Sequence, residues 1–169
     1  GNTLLVAAIT MVIEMVITFL SSVALTRMKF KNEKIKNFLY SFMILGLAIP
    51  IYVLLFPIYR MTVLFHLKGT YLSLVLPYIA TSVSFNTLIF TGFLRDFPTE
   101  IEEAAIIDGC NLWQTIVRII VPIVKPVLVT VFIFNVLYIW NEFPLAVTLI
   151  DDPKMATISL GISLFKGMY

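Results

Sequence analysis

The sequence has one histidine, His66, and one cysteine, Cys110, in 169 residues. A lone histidine excludes most metal sites and leaves no partner for a serine–histidine triad. A lone cysteine excludes an internal disulfide. No glycine-rich loop ends in Lys-Ser or Lys-Thr, so the chain has no phosphate cradle of the ATP-hydrolysing kind. Charge is also scarce. Only 13% of residues are Asp, Glu, Lys or Arg, and the net charge of +2 is too small to argue for nucleic acid. No basic segment precedes the first apolar run, which speaks against a signal peptide. No cofactor and no metal are expected.

What remains is grease. Hydrophobic residues make up 60% of the chain, against about 45–50% in soluble domains. The chain is read as an integral membrane protein. A spanning helix needs about 20 apolar residues, and four stretches qualify: residues 4–25, 38–59, 69–94 and 122–143. The apolar run of residues 116–150 is too long for one span, and Pro144 is expected to break it. Residues 155–165 are too few to cross, and fit a re-entrant or interfacial piece. None of the spans alternates like a barrel strand, and helices alone satisfy their own backbone in lipid. The expected fold is an all-α, polytopic helical bundle with about four transmembrane helices.

Basic residues set the expected orientation. Arg27, Lys29, Lys31, Lys34 and Lys36 follow the first span, and Arg95 and Arg118 flank the third loop. The other side has Arg60, Lys68, Lys154 and Lys166. Both termini are therefore expected outside, with the first and third loops in the cytoplasm. Tyr59, Tyr138 and Trp140 suit an aromatic belt at the outer interface.

The third loop collects five of the ten acidic residues within residues 96–108: Asp96, Glu100, Glu102, Glu103 and Asp108. Thr99 to Glu102 has the form of a capping box, with Pro98 just ahead of it. Acidic residues in a first turn favour the positive end of the helix dipole, and Gly109 is suited to end a helix in the left-handed conformation. A short helix is predicted over residues 99–108, followed by a second cap at Asn111. A helix that short is marginal alone in water. It is apolar on more than one side, with Ile101, Ala104 and Ala105 on one arc and Ile106 opposite. That suits an element held between its own membrane domain and a soluble partner; a solvated connector is the competing reading.

The stretch EAAIIDGCNLWQTIVRIIVP resembles the EAA loop of binding-protein-dependent ABC importer permeases. Glu103, Ala104, Ala105, Gly109, Ile119 and Pro122 stand in register, and Val121 replaces the usual leucine. The flanking FLRDFPTEIEEAA and WNEFPLAV look like the carbohydrate-uptake subgroup, similar to the maltose-type second permease subunit. The resemblance implies a type I permease core in the bacterial plasma (inner) membrane. It covers residues 1–169 as a partial transmembrane domain, with residues 96–122 as the cytoplasmic EAA loop and its coupling helix. The family subunit has six spans, so the four here imply a chain lacking the first and the last. The implied partners are an ABC ATPase subunit, a second permease subunit, an extracytoplasmic solute-binding protein, a sugar and the lipid bilayer. A polyol or glycerol phosphate is the alternative cargo, and a non-transport assembly protein the alternative class.

Glu103, Ala104, Ala105, Asp108 and Gly109 are the implied ATPase-coupling residues, with no catalytic residue in this chain. Residues of a possible pathway or gate are Glu14, Asn86, Asn135, Trp140, Asn141 and Glu142. An ionisable group such as Glu14, ten residues into a span, faces the bundle interior, water or a partner. Asn86 and Asn135 can equally serve as hydrogen-bonding glue between helices. Lys125 is expected to snorkel to the interface, and His66 to sit in an exposed loop. If Gly109 is the turn that sets the lever angle, Gly109→Leu abolishes transport-coupled ATP hydrolysis while the protein still reaches the membrane. Normal coupling in that variant refutes the assignment.

Overall fold

A computed structural model describes residues 1–166, and the regular structure among them is helical throughout. Helix α1 spans Asn2–Arg27, α4 spans Leu72–Asp96, and a continuous helical path runs over Leu112–Asn141. These three helices are long and apolar enough to cross a membrane. The last of them starts as α6 (Leu112–Thr115), passes through a π-helical stretch (Ile116–Ile120) and continues as α7 (Val121–Asn141). Its first turn carries the expected second cap. Asn111 accepts from the Gln114 N–H, and Gln114 accepts from the Asn111 N–H, both at 2.9 Å.

The second expected span, residues 38–59, is not one straight rod. It divides into α2 (Glu33–Ile44), a 3-10 turn (Leu45–Ala48) and α3 (Ile51–Leu64), whose axes meet at 103°. Pro50 is the cause. Its ring pushes the preceding residue out of the helical region, and Ile49 is extended at φ −104°, ψ 113°. The pair counts as a fourth span only as a broken one. At two of the prolines inside helices, a hydroxyl one turn later donates to the proline's own carbonyl: Thr81 to Pro77 and Thr130 to Pro126, both at 3.0 Å.

Helices α1, α4 and α7 pack together, with α1 against α4 as the main seam. The interior has two apolar clusters. One gathers Val6, Met11, Leu74, Tyr78, Ile139 and Leu149; the other gathers Phe19, Val23, Phe90, Leu94, Ile120 and Val131. By position along all three helices, a buried polar layer separates them: Glu14 and Thr18 on α1, Ser82, Asn86 and Thr87 on α4, and Asn135 on α7.

Past α7 the chain folds back. Pro144 starts α8 (Pro144–Leu149), as the expected break requires, and a 3-10 turn (Pro153–Met155) leads to α9 (Ile158–Lys166). Helix α9 packs on α7 and α8. Bonds to the start of α1 tie this end: Asn2 Nδ2 donates to the Lys154 carbonyl at 2.7 Å, and the Ile158 N–H donates to Thr3 Oγ1 at 2.8 Å. Lys68 pairs with Asp151 at 2.9 Å, and that bond raises the lysine pKa above its ordinary range. His66 is exposed, as expected.

Candidate functional site

The acidic loop forms α5 (Glu100–Ile107), eight residues between Thr99 and Asp108. Its C-terminus closes as a Schellman motif. The Gly109 N–H donates to the Ile106 carbonyl at 3.0 Å and the Cys110 N–H to the Ala105 carbonyl at 2.9 Å. Gly109 takes φ +87°, which a side chain with a Cβ adopts only under strain. The sequence placed glycine where the turn needs it.

The N-terminus departs from expectation. Thr99 makes no side-chain cap bond to the helix backbone, and its hydroxyl lies 3.5 Å from Glu103 Oε1. Glu102 does not reach back to Thr99. It turns inward and accepts from Arg27 Nε at 2.7 Å, with the two side chains 10% and 9% exposed. The carboxylate's bond is charge-assisted with either partner; the guanidinium adds an opposite full charge where both side chains are buried. The same arginine donates from Nη2 to the Phe97 carbonyl at 3.0 Å. Removing one partner of an ion pair this buried costs on the order of 3–5 kcal/mol.

At about 100° per residue, Glu102 and Ala105 share the inner face, and both are buried. Helix α5 packs inward on α6 and the π-helical stretch. This divides the implied coupling residues. Glu103, Ala104, Asp108 and Gly109 are exposed, whereas Ala105 supports the helix from within. Ala104 and Ala105 therefore do not share an outward contact. The outward surface is apolar and acidic together, with Ile106 60% and Ile107 85% exposed beside Glu100, Glu103 and Asp108.

The polar layer brings together three of the expected pathway residues. Glu14 is fully buried and faces Ser82 and Asn86, yet neither carboxylate oxygen is in hydrogen-bond geometry with a partner. Asn135 Nδ2 donates to Asn86 Oδ1 at 3.1 Å, which fixes the Asn86 amide and links α7 to α4. A cleft of about 770 Å³ between α3, α4 and α7 reaches this layer at Ser82 and Asn135. Its wall is otherwise mostly apolar, with Phe85, Phe134 and Tyr138 prominent.

The other three expected residues sit at the far end of α7. Trp140 and Asn141 are exposed, and Asn141 Nδ2 donates to the Leu137 carbonyl at 2.7 Å. Glu142 is buried and wholly engaged. It accepts from the Tyr78 hydroxyl and the Leu145 N–H, both at 2.6 Å, and from the Ala146 N–H at 3.2 Å. It thereby caps α8, and the Ser159 hydroxyl donates to its backbone carbonyl. Glu142 holds structure together at this end, a role that sequence reading did not assign. Arg27 was also missed, because its partner lies 75 positions away.

Residues 18–166 match the family described as binding-protein-dependent transport system inner membrane component. The chain is 40% identical over 168 residues to an ABC transporter permease protein of Caldicellulosiruptor sp. (strain Rt8B.4), covering 99% of this chain and 60% of that protein. It is 30% identical to a diacetylchitobiose uptake system permease protein of Streptomyces coelicolor (strain ATCC BAA-471 / A3(2) / M145), covering 100% of this chain and 60% of that protein. It is 29% identical to a sulfoquinovosyl glycerol transport system permease protein of Agrobacterium fabrum (strain C58 / ATCC 33970), covering 99% and 58%. The chain thus spans less than two thirds of the length of these relatives. A solved bacterial ABC transporter involved in the import of the acidic polysaccharide alginate has the same fold, with TM-score 0.78 at 21% identity over 98% of this chain and 56% of that one.

The Glu142 knot generates a direct test. Glu142→Ala leaves the Tyr78 hydroxyl and two backbone donors without their acceptor, each a loss of about 1–3 kcal/mol. A melting curve in detergent is expected to shift clearly downward, and Glu142→Gln, which keeps a carbonyl for the cap, to shift less. An unchanged melting temperature in Glu142→Ala contradicts the capping role.

Proposed function

The chain belongs to the family of binding-protein-dependent transport system inner membrane components, and from that premise we propose that it serves as a transmembrane subunit of an ATP-driven carbohydrate importer. The partners in this reading are an ATPase subunit on the cytoplasmic side, a second permease subunit beside it, and an extracytoplasmic solute-binding protein. ATP is hydrolysed on the ATPase, and this chain supplies the coupling element and part of the translocation pathway.

The observation that carries the reading is α5. It is a short helix fixed at both ends, yet it keeps Ile106 and Ile107 in the open. Neighbouring exposed apolar side chains rimmed by charge suit an interaction site. In the proposed complex, Glu103 pairs with a basic group of the ATPase, Ala104 permits close backbone approach, and Gly109 sets the angle between α5 and α6. Asp108 lies at the same outer edge. Closure of the ATPase dimer displaces α5, and the displacement passes into the membrane helices.

Within the bilayer, Glu14, Asn86 and Asn135 lie in one buried polar layer, cross-braced by the Asn135–Asn86 bond, at a level that the cleft reaches, so a pathway can open there without exposing a wholly apolar wall. Trp140 and Asn141, exposed at the opposite end, are candidates for a gate or for contact with the binding protein. Carbohydrate as cargo is supported by the relatives named for diacetylchitobiose and sulfoquinovosyl glycerol uptake.

The experiment is reconstitution. The full-length permease, expressed with its neighbouring ATPase, second permease and secreted binding protein, is purified as a complex and placed in liposomes. ATP hydrolysis is expected to rise when binding protein loaded with an oligosaccharide mixture is added outside. A complex that does not form, or hydrolysis indifferent to loaded binding protein, overturns the proposal.

A further inference from the structure

The basic segment after α1 is not uniform. Lys29, Lys31 and Lys34 are exposed and make no ion pair among the described residues, and Lys36 makes only a loose one with Glu33, at 3.8 Å. These lysines fit the general preference for cations on the cytoplasmic face. Arg27 is different. Its side chain is 9% exposed, and both of its bonds run to a distant part of the chain.

The two acceptors have a clear geometry. Phe97 is the residue that ends α4, and Glu102 lies in the first turn of α5. One guanidinium therefore grips both sides of the corner at residues 97–99, where α4 turns into the loop helix α5. Along the chain, helix α1 is separated from that corner by α2, α3 and α4. Without Arg27, α5 is joined to the membrane domain by its own two flanking segments and by the inward packing of Ala105.

We propose that Arg27 is a positioning residue for α5, tying it to α1 so that α1 and the α4–α5 corner move as one body when α5 is displaced. The mechanical half of this statement rests on the function proposed above; the structural half does not. Glu14 lies on the same helix, so α1 offers a rigid route from the loop to the buried polar layer. The residue type fits the task. Arginine has several donors in a fixed planar fork and can hold a carboxylate and a carbonyl at once, whereas lysine offers a single mobile ammonium.

The test uses the full-length permease in a Cys110→Ser background, spin-labelled at Lys29→Cys and Glu100→Cys, two exposed sites on either side of the pair. In liposomes without any ATPase, the native Arg27 protein is expected to give one narrow inter-label distance, and Arg27→Ala a broad one. Equal widths overturn the proposal. With the ATPase and a non-hydrolysable ATP analogue added, the native distance is expected to stay the same, and a shift there overturns the one-body claim. Stimulation of ATP hydrolysis by loaded binding protein is expected to fall on the order of tenfold in Arg27→Ala, with the ATPase still co-purifying; full stimulation overturns the mechanical half. Arg27→Lys, which keeps the charge, is expected to change both readouts in the same direction and carries the comparison if Arg27→Ala does not fold. If no ATPase associates with the native chain, the proposed function fails, and the label distances in liposomes alone still judge Arg27.

Discussion

A helix of eight residues does not hold its shape in water by its own hydrogen bonds, so everything proposed for α5 depends on what fixes it. Three constraints do so, and the buried Arg27–Glu102 pair is the one that reaches another helix. The Schellman turn at Gly109 sets where the helix stops. Packing of the face that carries Ala105 on α6 and the π-helical stretch supports the helix from within. The ion pair sets the register and angle against α1. Together they leave Ile106, Ile107, Glu103 and Ala104 outward on a stiff support. An outward apolar face on a floppy loop would collapse onto the membrane domain; a fixed one stays available to a partner.

The same logic of satisfaction and its absence runs through the membrane interior. At the far end, Glu142 has an acceptor bond for each donor that faces it, and the result is a closed knot of α4, α7 and α8 with α9 attached. In the middle, Glu14 is fully buried with neither oxygen bonded. Polar groups in lipid are costly and face the bundle interior, and this one does. The contrast separates two carboxylates that look alike in sequence: one builds the scaffold, and the other sits in the layer reached by the cleft. That layer also keeps the two apolar clusters from merging into one continuous core, so the bundle is apolar toward its ends and polar at its waist.

Much of this was legible in the sequence. Long apolar runs gave two spans within a few residues, because hydrocarbon thickness sets their length; the third, expected from residue 122, starts at Leu112, where the cap at Asn111 opens a helix that runs on through the π-helical stretch. Gly109 and Asn111 were readable because turn and cap chemistry are local. The EAA resemblance pointed to the family through spacing along the chain. What was not legible depends on residues far apart. Glu102 reads as a capping partner for Thr99 until Arg27, 75 positions earlier, is brought beside it. Glu142 reads as a gate residue until Tyr78 and the α8 backbone surround it. The inner placement of Ala105 depends on the helix phase that Glu102 sets. The 103° bend at Pro50 was not legible, because the apolar run of residues 38–59 is long enough for one span.

The central claim is that the outward face of α5 is seated on a nucleotide-hydrolysing partner. Zero-length and short-arm crosslinking from a cysteine placed at Ala104, in a Cys110→Ser background and in native membranes, tests it most directly. The account predicts a single dominant adduct joining this chain to an ATPase subunit, sensitive to added ATP. Adducts only to lipid, to solvent-borne quencher or to the chain itself would contradict it.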